Sequence, residues 1–162
     1  MSCSIAESHT GSQQKKNFYT RLLLSETSTK SAVIMDYVIL VDEHDNETGT
    51  MEKMEAHQKG LLHRAFSIVI FNSKGEMLLQ QRAAEKYHSG GLWTNACCSH
   101  PQPGETLEEA GKRKLLQEMG FVCDLNYSHK FIYKVELDNH LTEYEWDYVL
   151  IGYYDGAPSV NP

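Results

Sequence analysis

Residues 105–120 run Glu105-Thr-Leu-Glu-Glu-Ala-Gly-Lys-Arg-Lys-Leu-Leu-Gln-Glu-Met119-Gly120. Leu107, Ala110, Gly111, Leu115 and Met119 recur at three- and four-residue steps. That is the period of an α-helix with one buried face. Gly120 then stops it, as glycine does at a helix C-cap. The pattern predicts a helix over Glu105–Met119. Downstream of it, Lys130–Leu137 and Glu143–Tyr154 read as strands. Upstream, Tyr37–Val41 reads as a strand with a turn at Asp42–Asn46, and Glu52–Gln58 as a short helix. Ala65–Phe71, the turn Asn72–Gly75 and Met77–Gln81 read as a β-hairpin. Between hairpin and helix, Tyr87–Pro103 is irregular and rich in Gly, Ser, His and Cys. Loops of that kind carry function more often than cores do.

Composition narrows the possibilities. The chain has 162 residues and is 41% apolar, which suits one globular domain with a sizeable core. No apolar run approaches the ~20 residues a membrane helix needs. Net charge is −7, so no broad basic surface recruits nucleic acid. A few local Lys and Arg suffice to hold a phosphate. Residues 1–35 are rich in Ser, Thr, Gln and Lys and read as a disordered leader. The leader's four basic and two acidic side chains make it net +2, leaving −9 on the rest. A basic, Ser-rich leader is also compatible with organelle targeting. The cysteines are Cys3, Cys97, Cys98 and Cys123. Adjacent cysteines seldom bond to each other and no secretory signal is visible, so free thiols in a reducing, cytoplasmic setting are expected.

Several side chains are candidates for chemistry. His57, His63 and His100 sit near element ends. Glu143 and Glu145 are two apart in an expected strand and share a face. Three imidazoles and two carboxylates suit a divalent transition ion. Taken singly, each His reads equally as an ordinary core or surface residue, and the acidic pair as a solvated face. Cys98 is either an inert buried thiol or, beside His100, an acid–base group. Lys53, Arg82 and Lys86 are phosphate binders or merely solvated charges.

The strings Lys53–His57, Gly60-Leu-Leu-His-Arg-Ala-Phe-Ser67, Trp93-Thr-Asn-Ala-Cys-Cys-Ser-His-Pro101 and Glu143-Tyr-Glu-Trp146 resemble the ordered signatures of type I isopentenyl-diphosphate isomerases, a Nudix-superfamily enzyme family. The resemblance covers residues 36–162. It implies an α+β fold, a Nudix-type α/β/α sandwich around a mixed sheet. Residues 36–162 would be the isomerase domain, C-terminally short because family members continue past the position of Pro162 with further helices. Against the Nudix box, Ser99, Glu105, Arg113, Lys114, Leu115, Gln117, Glu118, Gly120 and Phe121 fall in register. Ser99 replaces the first glycine, and Lys114 and Gln117 replace acidic positions.

That resemblance implies interconversion of isopentenyl and dimethylallyl diphosphate through a carbocation-like state. Cys98 and Glu145 would flank the double bond, with Tyr133 supporting the carboxylate. His57, His63, His100, Glu143 and Glu145 would hold one divalent ion (Mg²⁺, Mn²⁺ or Zn²⁺). Glu118 would meet a Mg²⁺ that arrives with the substrate diphosphate. Lys53, Arg82, Lys86 and Ser99 match substrate-contacting positions. The expected partner is a small isoprenoid diphosphate, with no nucleic acid and no membrane, and the expected state is a cytoplasmic monomer. Two alternatives follow from the departures: a short, weakly active or inactive metal-binding isoform, and a Nudix pyrophosphohydrolase, which the substituted Lys114 and Gln117 disfavour.

Overall fold

A computed structural model describes residues 36–84 and 90–159. The expected leader, residues 1–35, and Lys86 lie outside them. The chain begins with β1 (Tyr37–Val41), which turns into β2 (Glu47–Glu52). Asp42 closes that turn by accepting from the backbone N–H of His44 and of Asn46, at 2.8 and 2.9 Å. Strand β2 was not expected. Its sequence, ETGTME, is exposed or half-buried and carries no apolar alternation. Pairing with β1 makes it a strand. Helix α1 (Lys53–Lys59) starts one residue after the expected start, with Glu52 as its N-cap.

Strand β3 (His63–Phe71) is the centre of the fold. One edge pairs in parallel with β8 (Thr142–Tyr153) over its whole length. The other edge is shared end to end. Strand β1 meets it at His63, and β6 (Cys97–Ser99) meets it antiparallel at Phe66–Ile68. Strand β7 (Leu125–Glu136) pairs antiparallel with β8 on its far side. The mixed sheet therefore runs β2-β1-β3-β8-β7, with β6 beside β3.

This sharing corrects the expected hairpin. Met77 makes only a single bridge to Phe71, and Leu78 donates to the Ile70 carbonyl at 2.8 Å. The edge farther back is taken by β6, so the chain turns away. Gln80–Gln81 (β4) then pairs with Trp93–Thr94 (β5) in a separate two-stranded ribbon. The segment read as irregular thus holds two short strands.

Helix α2 (Leu107–Met119) forms where the periodicity put it. Thr106 and Glu109 build a reciprocal capping box at its start, which satisfies two backbone donors the helix itself leaves open. Gly120 takes φ 71 at its end, a left-handed conformation that glycine adopts without strain. The helix lays Ala110, Leu115 and Met119 on Phe66, Ile68, Ile70 and Leu150. Gly111 permits that approach, since a Cβ there would stand 2.6 Å from Leu125 Cδ1. The odd-numbered residues of β3 and β8 point to the opposite face, where α1 packs. One helix on each side of a mixed sheet is an α/β/α sandwich within the α+β class.

Candidate functional site

The register of three strands builds the site. His63 of β3 lies beside Glu145 of β8, and Glu145 beside Tyr133 of β7. Strand alternation then puts Glu143, Glu145 and Asp147 on the same face. From α1, His57 reaches that face, and His100 reaches it just after β6. All four of His57, His63, His100 and Glu145 are buried, and one ligand atom of each lies within 4.8 Å of the others. Glu145 Oε1 is 3.8, 3.4 and 3.1 Å from the Nε2 atoms of His57, His63 and His100.

This donor set fits a divalent cation. His57 Nδ1 is 2.7 Å from the Lys53 carbonyl and His63 Nδ1 is 2.8 Å from the Leu61 carbonyl. A carbonyl only accepts, so those Nδ1 atoms carry hydrogens, and the Nε2 atoms are the ones left to turn a lone pair toward a cation when one binds. Burial holds His57 below the ordinary histidine value and pushes His100 down to about 4, so neither is cationic at neutral pH. Burial alone would raise the Glu145 carboxyl, but its contacts with His100 and His63 outweigh that and hold it well below the carboxylate range. A carboxylate oxygen and three ring nitrogens this close together, with His63 Nε2 3.2 Å from His100 Nε2, suit a cation between them. Three nitrogens and an oxygen suit Zn²⁺, Mn²⁺ or a similar ion. Glu143 lies next to this group. The Tyr133 hydroxyl donates to Glu145 at 2.7 Å and to Glu143 at 3.2 Å. Burial and the Glu145 charge raise the Tyr133 hydroxyl far above its ordinary value, so it stays a donor.

Beside the cluster opens a cavity of about 800 Å³ that both Cys98 and Glu145 line. The two cysteines of β6 alternate. Cys97 is buried in the α2 core, and Cys98 faces the cavity. Burial pushes the Cys98 thiol up, and the hydrogen bonds of Ser67 and Asn95 do not reverse it, so the proton stays on sulfur at neutral pH.

Lys53, Arg82, Ser99 and Glu118 line the same cavity. Lys53 is 3.8 Å from Asp36, and Arg82 Nε is buried with no hydrogen-bond partner among the described residues. Lys114 pairs with Glu118 at 2.8 Å. Arg113 grips Glu105 with two bonds, 2.7 and 2.8 Å, and also reaches the His100 carbonyl at 3.4 Å. This ties the loop that carries His100 to α2. Sequence reasoning missed Asp147, Asn95 and the role of Ser67. Asp147 was within reach, two residues past Glu145 on one face. Ser67 lay in a quoted string with no property that marked it.

The NUDIX domain family matches residues 61–161. An isopentenyl-diphosphate Delta-isomerase 2 from Photorhabdus laumondii is 56% identical over 126 residues, which are 78% of this chain and 71% of that protein. An isopentenyl-diphosphate Delta-isomerase from Pectobacterium atrosepticum is 55% identical over 125 residues, 77% of this chain and 70% of that one. Among solved structures, DR0079 from Deinococcus radiodurans superposes with a TM-score of 0.63 at 20% identity, over 78% of this chain and 77% of that one. A likeness at that identity speaks to the fold alone.

Proposed function

The chain belongs to the NUDIX domain family, among its isopentenyl-diphosphate Delta-isomerases, and from that premise we propose that it interconverts isopentenyl and dimethylallyl diphosphate with Cys98 and Glu145 as the acid–base pair. The observation that carries the site assignment is that these two side chains line one cavity, where burial raises the thiol and the contacts with His100 and His63 lower the carboxyl. Moving a double bond by one carbon needs a proton added at one alkene carbon, which leaves the cation on the other, and a proton removed from the carbon on that cation's far side. One group holding a proton and one lacking it are what that exchange requires, and they trade roles in the reverse direction. The Tyr133 hydroxyl fixes Glu145 from behind. Trp93 and Tyr133 line the cavity, and their π faces favour a cation-like state by roughly 0.5–2 kcal/mol each.

His57, His63, His100 and Glu145 would hold a divalent ion, with Glu143 adjoining. When bound there, such an ion would supply positive charge beside the Glu145 carboxylate. Lys53, Arg82 and Ser99 would grip the diphosphate, joined by Lys86, and Glu118 would meet the Mg²⁺ that travels with it. Arg82 Nε, buried without a partner among the described residues, supports an anionic ligand there. The Lys114–Glu118 pair also weakens a hydrolytic reading, because a Nudix hydrolase gathers metals on helix carboxylates and here one of them is engaged by a lysine. We assign the catalytic unit to residues 36–162, acting as a monomer in the cytoplasm, where thiols stay reduced. No described helix is long and apolar enough to cross a membrane.

The test is to incubate the protein with isopentenyl diphosphate and Mg²⁺ in D₂O and follow the product by NMR. Dimethylallyl diphosphate with deuterium incorporation is expected, and Cys98→Ala and Glu145→Gln should each lower kcat by at least about a thousandfold. Released phosphate without isomerisation would point to hydrolysis instead. Metal binding with no turnover would leave an inactive metal-binding fold.

A further inference from the structure

Two polar residues beside the thiol have no part in the reaction described so far. Ser67 stands directly opposite Cys98 where β3 pairs with β6, and its Oγ is 3.5 Å from the sulfur. The same hydroxyl donates to Asp147 Oδ2 at 2.7 Å. Asp147 is only 6% exposed, and its other oxygen, Oδ1, is buried without a hydrogen-bond partner among the described residues. Leaving a buried carboxylate without its donor is costly. The Ser67 hydrogen is therefore committed to Asp147, and only an oxygen lone pair is left for the sulfur.

Across the sulfur sits Asn95. Its Oδ1 is 2.8 Å from Cys98 Sγ and also accepts from the Thr94 hydroxyl at 2.8 Å. The single Cys98 thiol hydrogen thus lies between two acceptors, Ser67 Oγ on β3 and Asn95 Oδ1 in the loop before β6, and bonds to one at a time. Local structure alone would not hold the sulfur, since β6 is three residues long and Cys98 is exposed to the cavity. A cysteine has three staggered χ1 positions. The one observed places Sγ 3.5 Å from Ser67 Oγ and 2.8 Å from Asn95 Oδ1.

We propose that Ser67 and Asp147 are positioning residues that hold the Cys98 sulfur in the orientation from which it exchanges a proton with the substrate alkene. The inference rests on Cys98 being the acid–base thiol. Asp147 acts through Ser67, and Ser67 through the sulfur. Misplacing a reacting atom by about 1 Å costs on the order of a hundredfold, so freeing the sulfur should slow the chemical step without weakening diphosphate binding.

Steady-state kinetics with isopentenyl diphosphate and Mg²⁺ separate these effects. Ser67→Ala should lower kcat about 10- to 100-fold with KM within about twofold. Ser67→Thr keeps the hydroxyl and should recover to within about threefold of the unaltered protein. The double variant Ser67→Ala/Asp147→Ala should be no slower than the slower single variant, because the two act as one unit. A Ser67→Ala variant at full kcat, or losses that multiply in the double variant, would overturn the proposal. Should the alanine variants not fold, Asp147→Asn decides. The amide still accepts from Ser67, so activity within about threefold supports positioning, and a fall of about a hundredfold overturns it by making Asp147 itself a reacting group.

A second measurement does not depend on the isomerase reading. Iodoacetamide alkylation of Cys98, resolved from Cys97 by fragment-ion mass spectrometry, should quicken at least about threefold in Ser67→Ala as the sulfur turns free. An unchanged rate sinks the proposal whether or not the protein isomerises anything. If the unaltered protein has no isomerase activity, the isomerase reading fails, and the alkylation rates still decide whether Ser67 holds the sulfur.

Discussion

At the residue scale, Tyr133 shows how one hydroxyl serves two carboxylates. Glu143 and Glu145 project from the same face of β8, and burial together with the Glu145 charge raises the Glu143 carboxyl. The Tyr133 hydroxyl donates to both. Removing it leaves the buried Glu145 and the half-buried Glu143 beside each other with one donor fewer. Groups that orient a metal-bound carboxylate typically contribute 10- to 100-fold in metal affinity or activity. Tyr133→Phe is therefore expected to lower kcat about 10- to 100-fold while changing stability by about 1 kcal/mol or less, since the phenyl ring still fills its place. Kinetics and thermal melts on the same preparation check this. Full activity in Tyr133→Phe would mean that the histidines alone orient Glu145.

Helix α2, at the element scale, is held by local chemistry at both ends. Thr106 caps the start, and Thr106→Ala should cost about 1 kcal/mol. Gly120 closes the end at φ 71, and a Cβ there would stand 2.7 Å from the backbone oxygen of Ser159. Gly120→Ala therefore combines backbone strain with a clash against main chain, and it should cost roughly 2–4 kcal/mol, more than the cap variant. Urea titrations of both variants test the order, and a milder Gly120→Ala would show that the 159 segment moves aside. The same locality explains what sequence could foretell. The helix was legible because its stripe and caps lie within 15 residues. The strand Tyr37–Val41 was legible from its apolar run. Strand β2 and the splitting of one β3 edge between β1 and β6 were not, because partners distant in sequence decide them. In the site, the histidines and Glu145 were visible as residue types. Their meeting depends on the parallel register that sets His63 beside Glu145, and no periodicity reports a register. Ser67 and Asp147 are 80 positions apart and meet for the same reason.

For the whole molecule, the turn between β1 and β2 does more than reverse the chain. Asp45 sits there with φ 66 and a nearly buried side chain, and it gathers residues from three other strands. Its Oδ1 accepts from Arg64 of β3 at 2.7 Å, and its own carbonyl takes a second Arg64 bond at 2.7 Å. Its Oδ2 accepts from Lys130 of β7 and from the Tyr148 hydroxyl of β8. Lys130 also lies over the rings of Trp146 and Tyr148, at 4.8 and 5.0 Å. One carboxylate thus clamps β3, β8 and β7 on the face opposite the histidines. Burial alone would raise the Asp45 carboxyl, but the bonds from Lys130, Tyr148 and Arg64 outweigh it and the net shift is downward. The sign of the pH dependence follows. A carboxyl depressed in the folded state stabilises fully above its unfolded value of about 3.9, and that stability is lost as pH falls through the folded value. At pH 7, Asp45→Asn should cost roughly 1–3 kcal/mol, the range for a buried charge-assisted hydrogen bond. The gap between the unaltered protein and the variant should stay constant from pH 8 to about pH 5, then narrow below about pH 4 as Asp45 takes up its proton. Thermal melts of both proteins across that range decide it. A gap that persists unchanged at the acid end would mean that Asp45 holds the strands by shape and neutral hydrogen bonds, and that its charge contributes nothing.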